Sequence, residues 1–291
     1  MSVSWSSTCD LSANYCQRRA VSCLNVRTSV TESSHTVRVS SSGIAFSDTG
    51  PRHGLTIVLI HGSLDRMAGM AHVSRLLQKQ WRVLRYDRRG YGKSVHHGGP
   101  FGVSDHVGDL CEVIDAGGDV NEVLLIGHSF GGHVALAGSL ALQQRVVGVS
   151  IYESPLSWMP WWPGTTAGNQ AIATDPAEAA EVFMRRLVGD ARWESLPDST
   201  KDARRREGRA LVGELSTLRT SAPYEFSDIS VPTLCGYGEK GASRHHDGAR
   251  FVSEHVQHGK TVMIPGAGHG APTSHPQEYV DIMVKPHLVR R

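Results

Sequence analysis

Val123-Leu124-Leu125-Ile126-Gly127-His128-Ser129-Phe130-Gly131-Gly132 runs from four apolar residues into glycines gathered around a serine. The apolar part reads as a short strand buried on both faces, as in a parallel sheet. The residues beyond it, Val134-Ala135-Leu136-Ala137-Gly138, read as a helix of small side chains. A G-x-S-x-G serine at the apex of a strand–turn–helix is a nucleophile candidate. The glycines have a mechanical reason. A serine on so sharp a turn is strained, and neighbours without Cβ atoms let strand and helix close around it. Its hydroxyl then sits at a helix N-terminus, where developing negative charge is favoured.

Working outward, the same rhythm repeats. Leu55 to Ile60 is a continuous apolar strand ending in His61-Gly62-Ser63, and Trp81 to Tyr86 is another, ending in Asp87-Arg88-Arg89-Gly90-Tyr91-Gly92. Helical patterns follow each, about Met67 to Lys79 and Ser104 to Asp115. Val146 to Tyr152 is a further strand, ending in Glu153-Ser154-Pro155. Thr233 to Tyr237 and Thr261 to Ile264 continue the series, with helices at Ala249 to His255 and Pro276 to Val284. Alternation of Val37 and Val39 with polar residues, then Ile44-Ala45-Phe46, suggests a leading hairpin. Alternating strands and helices predict an α/β fold with a doubly wound, mostly parallel sheet. From 156 to 223 the rhythm breaks. An aromatic loop, Trp158-Met159-Pro160-Trp161-Trp162-Pro163-Gly164, precedes helices at Pro176 to Val188, Asp198 to Leu211 and Val212 to Leu218. This reads as a helical lid inserted into a core of residues 35–155 and 224–291. Residues 1–34, rich in Ser, Thr and Cys, are expected to be a poorly ordered extension or an upstream start-site artefact.

A net charge of +2 over 291 residues argues neither for nor against an anionic partner, and there is no sharp Lys/Arg stripe of the kind expected for nucleic-acid binding. The densest basic run, Arg204-Arg205-Arg206, reads as a solvated helix face. The five cysteines (Cys9, Cys16, Cys23, Cys111 and Cys235) are odd in number and lack C-x-x-C spacing. They read as free thiols in a reducing compartment. No apolar run approaches the roughly 18 residues that span a bilayer. Arg18-Arg19 before Ala20-Val21-Ser22-Cys23 hints at an export signal, but the apolar part is short and broken by Ser22, Asn25 and Arg27. The expectation is a cytoplasmic protein acting on a small molecule, with neither nucleic acid nor membrane as partner.

Four segments now stand in order: His61-Gly62, Asp87-x-x-Gly90-x-Gly92-x-Ser94, Gly127-x-Ser129-x-Gly131-Gly132 and Gly266-x-Gly268-His269. Together they resemble the α/β-hydrolase superfamily over residues 36 to 288. The resemblance implies an eight-stranded, mostly parallel sheet with a Ser–acid–His triad on loops at its carboxyl edge, where open α/β sheets bind ligands. It makes Ser129 the nucleophile and His269, after a strand and two glycines, the base. Members commonly carry the acid as aspartate in a Gly-x-x-Asp arrangement after the strand that here is Thr233 to Tyr237. This chain has Gly238-Glu239-Lys240-Gly241 instead. A minority place the acid one strand earlier, where Glu153 stands, and Tyr-Glu-x-Pro resembles a bacterial subgroup of small esterase-like hydrolases that lack the later aspartate. Geometry and not chain order defines a triad, so Glu153 ranks first, with Glu239 and Asp247 as alternatives. By position the oxyanion hole falls to the amides of Ser63 and Phe130.

His61 is expected to shape its loop, His128 to pack locally, the Asp87 turn to be structural and Asp65-Arg66 to lie near the site mouth. Trp158, Trp161 and Trp162 are candidates for an apolar pocket or for packing of the lid. His245-His246-Asp247 is not read as a metal site, and no cofactor is expected. The resulting expectation is a serine hydrolase of ester, lactone or thioester bonds. The alternatives are carbon–carbon bond hydrolysis, perhydrolysis, or a non-catalytic small-ligand-binding protein on the same fold.

Overall fold

The computed structural model describes residues 37–163 and 175–289. The expected extension at 1–34, its three cysteines and Gly164 of the aromatic loop lie outside the described residues. Eight strands form one sheet: β1 (Val37–Val39), β2 (Ala45–Thr49), β3 (Thr56–Ile60), β4 (Arg82–Tyr86), β5 (Val123–His128), β6 (Val146–Tyr152), β7 (Thr233–Gly238) and β8 (Gly259–Ile264). Their spatial order is β1-β2-β4-β3-β5-β6-β7-β8. The first two strands pair antiparallel, as do β2 and β4, and every later pairing is parallel. The leading hairpin and the doubly wound, mostly parallel sheet are therefore as the sequence implied.

The strand pleat sorts side chains to two cores. Val58, Ile60, Val123 and Leu125 join one apolar cluster with helices Val103–Gly117 and Phe130–Leu142. Their neighbours Ile57, Leu59, Leu124 and Ile126 join another, against helix Ala71–Leu77 and the C-terminal turns. All residues of β3 and β5 are buried, which is why both read as unbroken apolar runs. Each such side chain contributes about 1.5–3 kcal/mol by leaving water.

Between β6 and β7 stand helices Pro176–Val188, Asp190–Glu194, Asp198–Arg206 and Gly208–Thr220. They bury their own cluster, including Ala179, Met184, Trp193 and Leu211, against Leu64 and Tyr91 of the sheet-edge loops. The sequence pattern carries one helix from Asp198 to Leu211; the structure breaks it at Glu207. That residue is almost wholly buried and accepts hydrogen bonds from the Gly92 amide (2.8 Å) and Arg66 Nε (2.8 Å). The basic run beside it is not a plain solvated face. Arg204 donates to the Leu64 carbonyl (2.9 Å) and pairs with Glu207, while Arg205 pairs with Glu181 (2.7 Å). The predicted helix from Met67 begins as a 3-10 turn, Met67–Met70, and the last predicted helix contains a π-helical turn at Val280–Val284.

Among the described residues no helix is long and apolar enough to cross a membrane. Cys111 and Cys235 are buried.

Candidate active site

The carboxyl ends of β3, β5 and β6 and the loop after β8 converge on one place. Ser129 follows β5 with φ 54° and ψ −125°, a conformation costing about 1–3 kcal/mol and held by its surroundings. Its amide donates to the Tyr152 carbonyl (2.8 Å). Helix Phe130–Leu142 starts at once. A Cβ on Gly131 would lie 2.4 Å from the Ile60 carbonyl oxygen, so glycine lets this helix meet the end of β3. The adjoining loops are strained too: Glu153 has φ 48° and Leu64 φ 51°.

Glu153 is buried, and its Oε2 lies 2.7 Å from His269 Nδ1. Its Oε1 accepts the Gly238 amide at 3.0 Å. Burial pushes this carboxyl up, yet the bond to His269 and the neighbouring donors outweigh it, and the group titrates below its usual range. The competing acids point elsewhere. Glu239 accepts the Gly266 amide (2.7 Å), and Asp247 pairs with Arg250 (2.8 Å) on an exposed helix face. Gly241 stands where the commoner aspartate would fall, and a Cβ there would lie 2.2 Å from Glu153 Oε1. The two acid positions compete for one volume.

Ser129 and His269 line one cavity of about 450 Å³ with Gly62, Ser63, His128 and side chains of helix Pro176–Val188. Among the described residues no direct hydrogen bond joins the Ser129 hydroxyl to the His269 ring, a contact that commonly tightens only with substrate. Phe130 and Ser63, whose amides were assigned to an oxyanion hole, border a second cavity of about 270 Å³ together with Ser129 and His269. Trp162 borders that cavity as well. Trp158 and Trp161 border neither; they pack on Phe226 and Phe251. The pocket expectation narrows to Trp162 here.

His269 sits between two buried imidazoles, His128 (ring centroids 4.7 Å) and His245 (5.3 Å). His128 Nε2–H donates to the His269 carbonyl (2.8 Å), the local packing role expected of it. Burial, with the nearby His269 second, drives the pKa of both to about 3, so both stay neutral. His61 Nδ1–H donates to the Gly62 carbonyl (2.7 Å) and Nε2 accepts the Arg88 amide (2.9 Å), fixing its loop. Donor atoms of Glu153, His245 and His269 lie within 4.8 Å of one another. Asp87 accepts the Met67 and Lys93 amides, a structural role. Asp65 borders the larger cavity, and burial raises its pKa.

One constellation had no sequence signal. Glu214, on helix Gly208–Thr220, is fully buried against the equally buried Arg88 of the turn after β4. It also accepts from Ser63 Oγ (2.6 Å), Tyr91 Oη (2.8 Å) and His106 Nε2 (2.9 Å). Arg88 in turn donates to the carbonyls of His61 (2.9 Å) and Gly62 (3.0 Å) and stacks over Phe130 (4.8 Å). Each residue is ordinary in sequence, and the pairing spans 126 positions. Only the fold reveals it.

A parallel sheet with a strained serine after β5 and a histidine–carboxylate pair beside it defines a class, and the chain belongs to it: the alpha/beta hydrolase family model matches residues 57–282. Among characterised proteins the chain is similar to a pimeloyl-[acyl-carrier protein] methyl ester esterase of Yersinia enterocolitica, 26% identical over 78% of this chain and 91% of the relative. It is also similar to a 2-hydroxy-6-oxononadienedioate/2-hydroxy-6-oxononatrienedioate hydrolase of Klebsiella pneumoniae, 29% identical over 63% of this chain and 69% of the relative. An esterase structure from Exiguobacterium antarcticum shares the fold with TM-score 0.67 at 18% identity, covering 89% of this chain and all (100%) of that one.

Proposed function

We propose that the protein is a serine hydrolase cleaving a carboxylester-like bond of a small molecule through an acyl-enzyme. The observation carrying this is the strained Ser129 beside a His269–Glu153 pair at 2.7 Å, all bordering shared cavities. His269 Nε2 takes the Ser129 proton as Oγ attacks the carbonyl carbon. Glu153 holds the Nδ1–H and stabilises the imidazolium. The Ser63 and Phe130 amides face the developing oxyanion. His269 then protonates the departing alcohol, and water repeats the sequence to release the acid. The helices between β6 and β7 act as a lid that shields the acyl-enzyme from bulk water.

The relatives' names support hydrolytic chemistry, one on an ester and one on a dienedioate. The receptor alternative drew on the missing aspartate after β7. Glu153 supplies a carboxylate to His269, so that argument loses its ground. A fluorophosphonate probe should label the protein at Ser129 and leave Ser129→Ala unlabelled. Glu153→Gln should lower kcat by about 10³-fold or more, on the scale of other triad acids. A folded protein whose Ser129 resists the probe would sink the proposal.

A further inference from the structure

The smaller cavity differs in charge from the larger one. Arg219, Lys240 and Arg244 border it, while the one carboxylate bordering it among the described residues, Glu153, is already held by His269 and the Gly238 amide. Its apolar wall is Trp162, Phe183, Leu187 and Leu215. Arg244 is the second residue of helix Ser243–His255, so the helix N-terminus adds partial positive charge. Its guanidinium lies 5.9 Å from the Trp162 ring centre. Burial lowers its pKa; the Glu153 carboxylate, already bonded to His269 and the Gly238 amide, offsets this only in part, and Arg186 adds to the positive field. A half-buried cation whose nearby carboxylate is engaged by other donors is incompletely compensated, and an arriving anion completes the compensation. Guanidinium is also the side chain best shaped to grip a carboxylate.

We propose that this cavity receives a carboxylate carried by the substrate, with Arg244 as its principal partner and Arg219 and Lys240 beside it. The substrate is then an ester joined through a short apolar spacer to a free carboxylate, and a neutral ester is a poor match. This rests on the hydrolase reading above.

Monomethyl glutarate, adipate and suberate are compared with neutral methyl esters of equal chain length, and a parallel pair carries the carboxylate on the alcohol side. At the best length the anionic ester should be preferred in kcat/KM by about tenfold or more, the scale of one charge-assisted pair. Arg244→Leu should collapse the ratio, Arg244→Lys should restore part of it, and Arg250→Leu on the outer helix face should not change it. Separately, adipate binding to Ser129→Ala is followed by calorimetry, which needs no turnover. Neutral esters hydrolysed with no anionic preference would overturn this inference and leave the hydrolase reading intact. A preference undiminished in Arg244→Leu, or adipate failing to bind Ser129→Ala, would overturn it as well. Failure of Ser129 to take a fluorophosphonate would instead strike the hydrolase reading, with adipate binding still deciding the cavity.

Discussion

If Glu153 and Gly241 compete for one volume, the acid can be moved. Glu153→Ala should cost about 10³–10⁴ in kcat, or roughly 4–5.5 kcal/mol of barrier. Gly241→Asp alone should also fail, because its Cβ would stand 2.2 Å from Glu153 Oε1 and two carboxylates would share one site. The double variant Glu153→Ala/Gly241→Asp should behave differently. Removing the glutamate clears the clash with Oε1 and leaves the Gly238 carbonyl oxygen as the near neighbour at 2.9 Å, a contact that the loop backbone must shift slightly to relieve. Position 241 is not among the glycines with positive φ, so aspartate meets no backbone strain there. The double variant should regain about tenfold or more over Glu153→Ala, a coupling of at least about 1.4 kcal/mol. The assay is kcat/KM on a p-nitrophenyl ester, with the active fraction counted by fluorophosphonate titration and folding checked by circular dichroism. A folded double variant no faster than Glu153→Ala, or a Gly241→Asp variant as fast as the parent, would refute the shared-volume argument.

Other outcomes follow from the buried groups. Glu214→Gln strands the Arg88 charge and should lower stability by about 3–5 kcal/mol in denaturant titration; Glu214→Leu/Arg88→Met, which removes both charges, should lose clearly less than the two single changes summed. Burial holds His128 and His245 near pKa 3 and His133 near 4. These folded values lie below the unfolded one, so the unfolded chain binds more protons as pH falls below about 6.5. Between pH 6 and 5 each histidine should therefore remove about 1 kcal/mol of stability, and a flat denaturation midpoint over that range would contradict their neutral burial. Glu214 is held near 2, chiefly by Arg88 working against burial. Its contribution is complete above about pH 4.5 and fades toward pH 2, so Glu214→Gln should show a shallower acid limb. Gly131→Ala places a methyl 2.4 Å from the Ile60 carbonyl oxygen and should cost about 1–3 kcal/mol of stability, read from the unfolding midpoint.

Much of this was legible before the structure because parallel sheets write themselves plainly. Strands buried on both faces appear as apolar runs, and the turn after β5 demands small residues that few other turns require. Glu153 was findable because it directly follows an apolar strand, and His269 because it follows a strand and two glycines. The charged core was not. Arg88 looked like part of a family turn and Glu214 like one acid on an amphipathic helix, since a pair 126 residues apart leaves no local period. Glu207 misled for a related reason: helix propensity runs through it, while tertiary contacts with Arg66 and Gly92 stop the helix there. The tryptophans were ambiguous because an aromatic loop reads alike whether it lines a pocket or packs on Phe226 and Phe251.

The buried Arg88–Glu214 pair ties the last helix of the segment to the sheet-edge loops, a tie the earlier helices lack. Helix Gly208–Thr220 is fastened through Arg88 and Ser63 to the loop carrying Gly62 and Ser63, so it cannot lift without baring two charges and loosening the loop proposed to supply an oxyanion donor. If the segment is a lid, as proposed, the Pro176–Glu194 stretch is the part more easily displaced, since its ion pair to the next helix, Glu181 with Arg205, is partly exposed and its remaining hold is the packing of Ala179, Met184 and Trp193. For anyone exchanging these helices among relatives to alter substrate range, the natural cut lies before Glu207. The earlier helices would be exchanged together, with the Arg204 bond to the Leu64 carbonyl kept, whereas the last is built into the loops at the sheet edge.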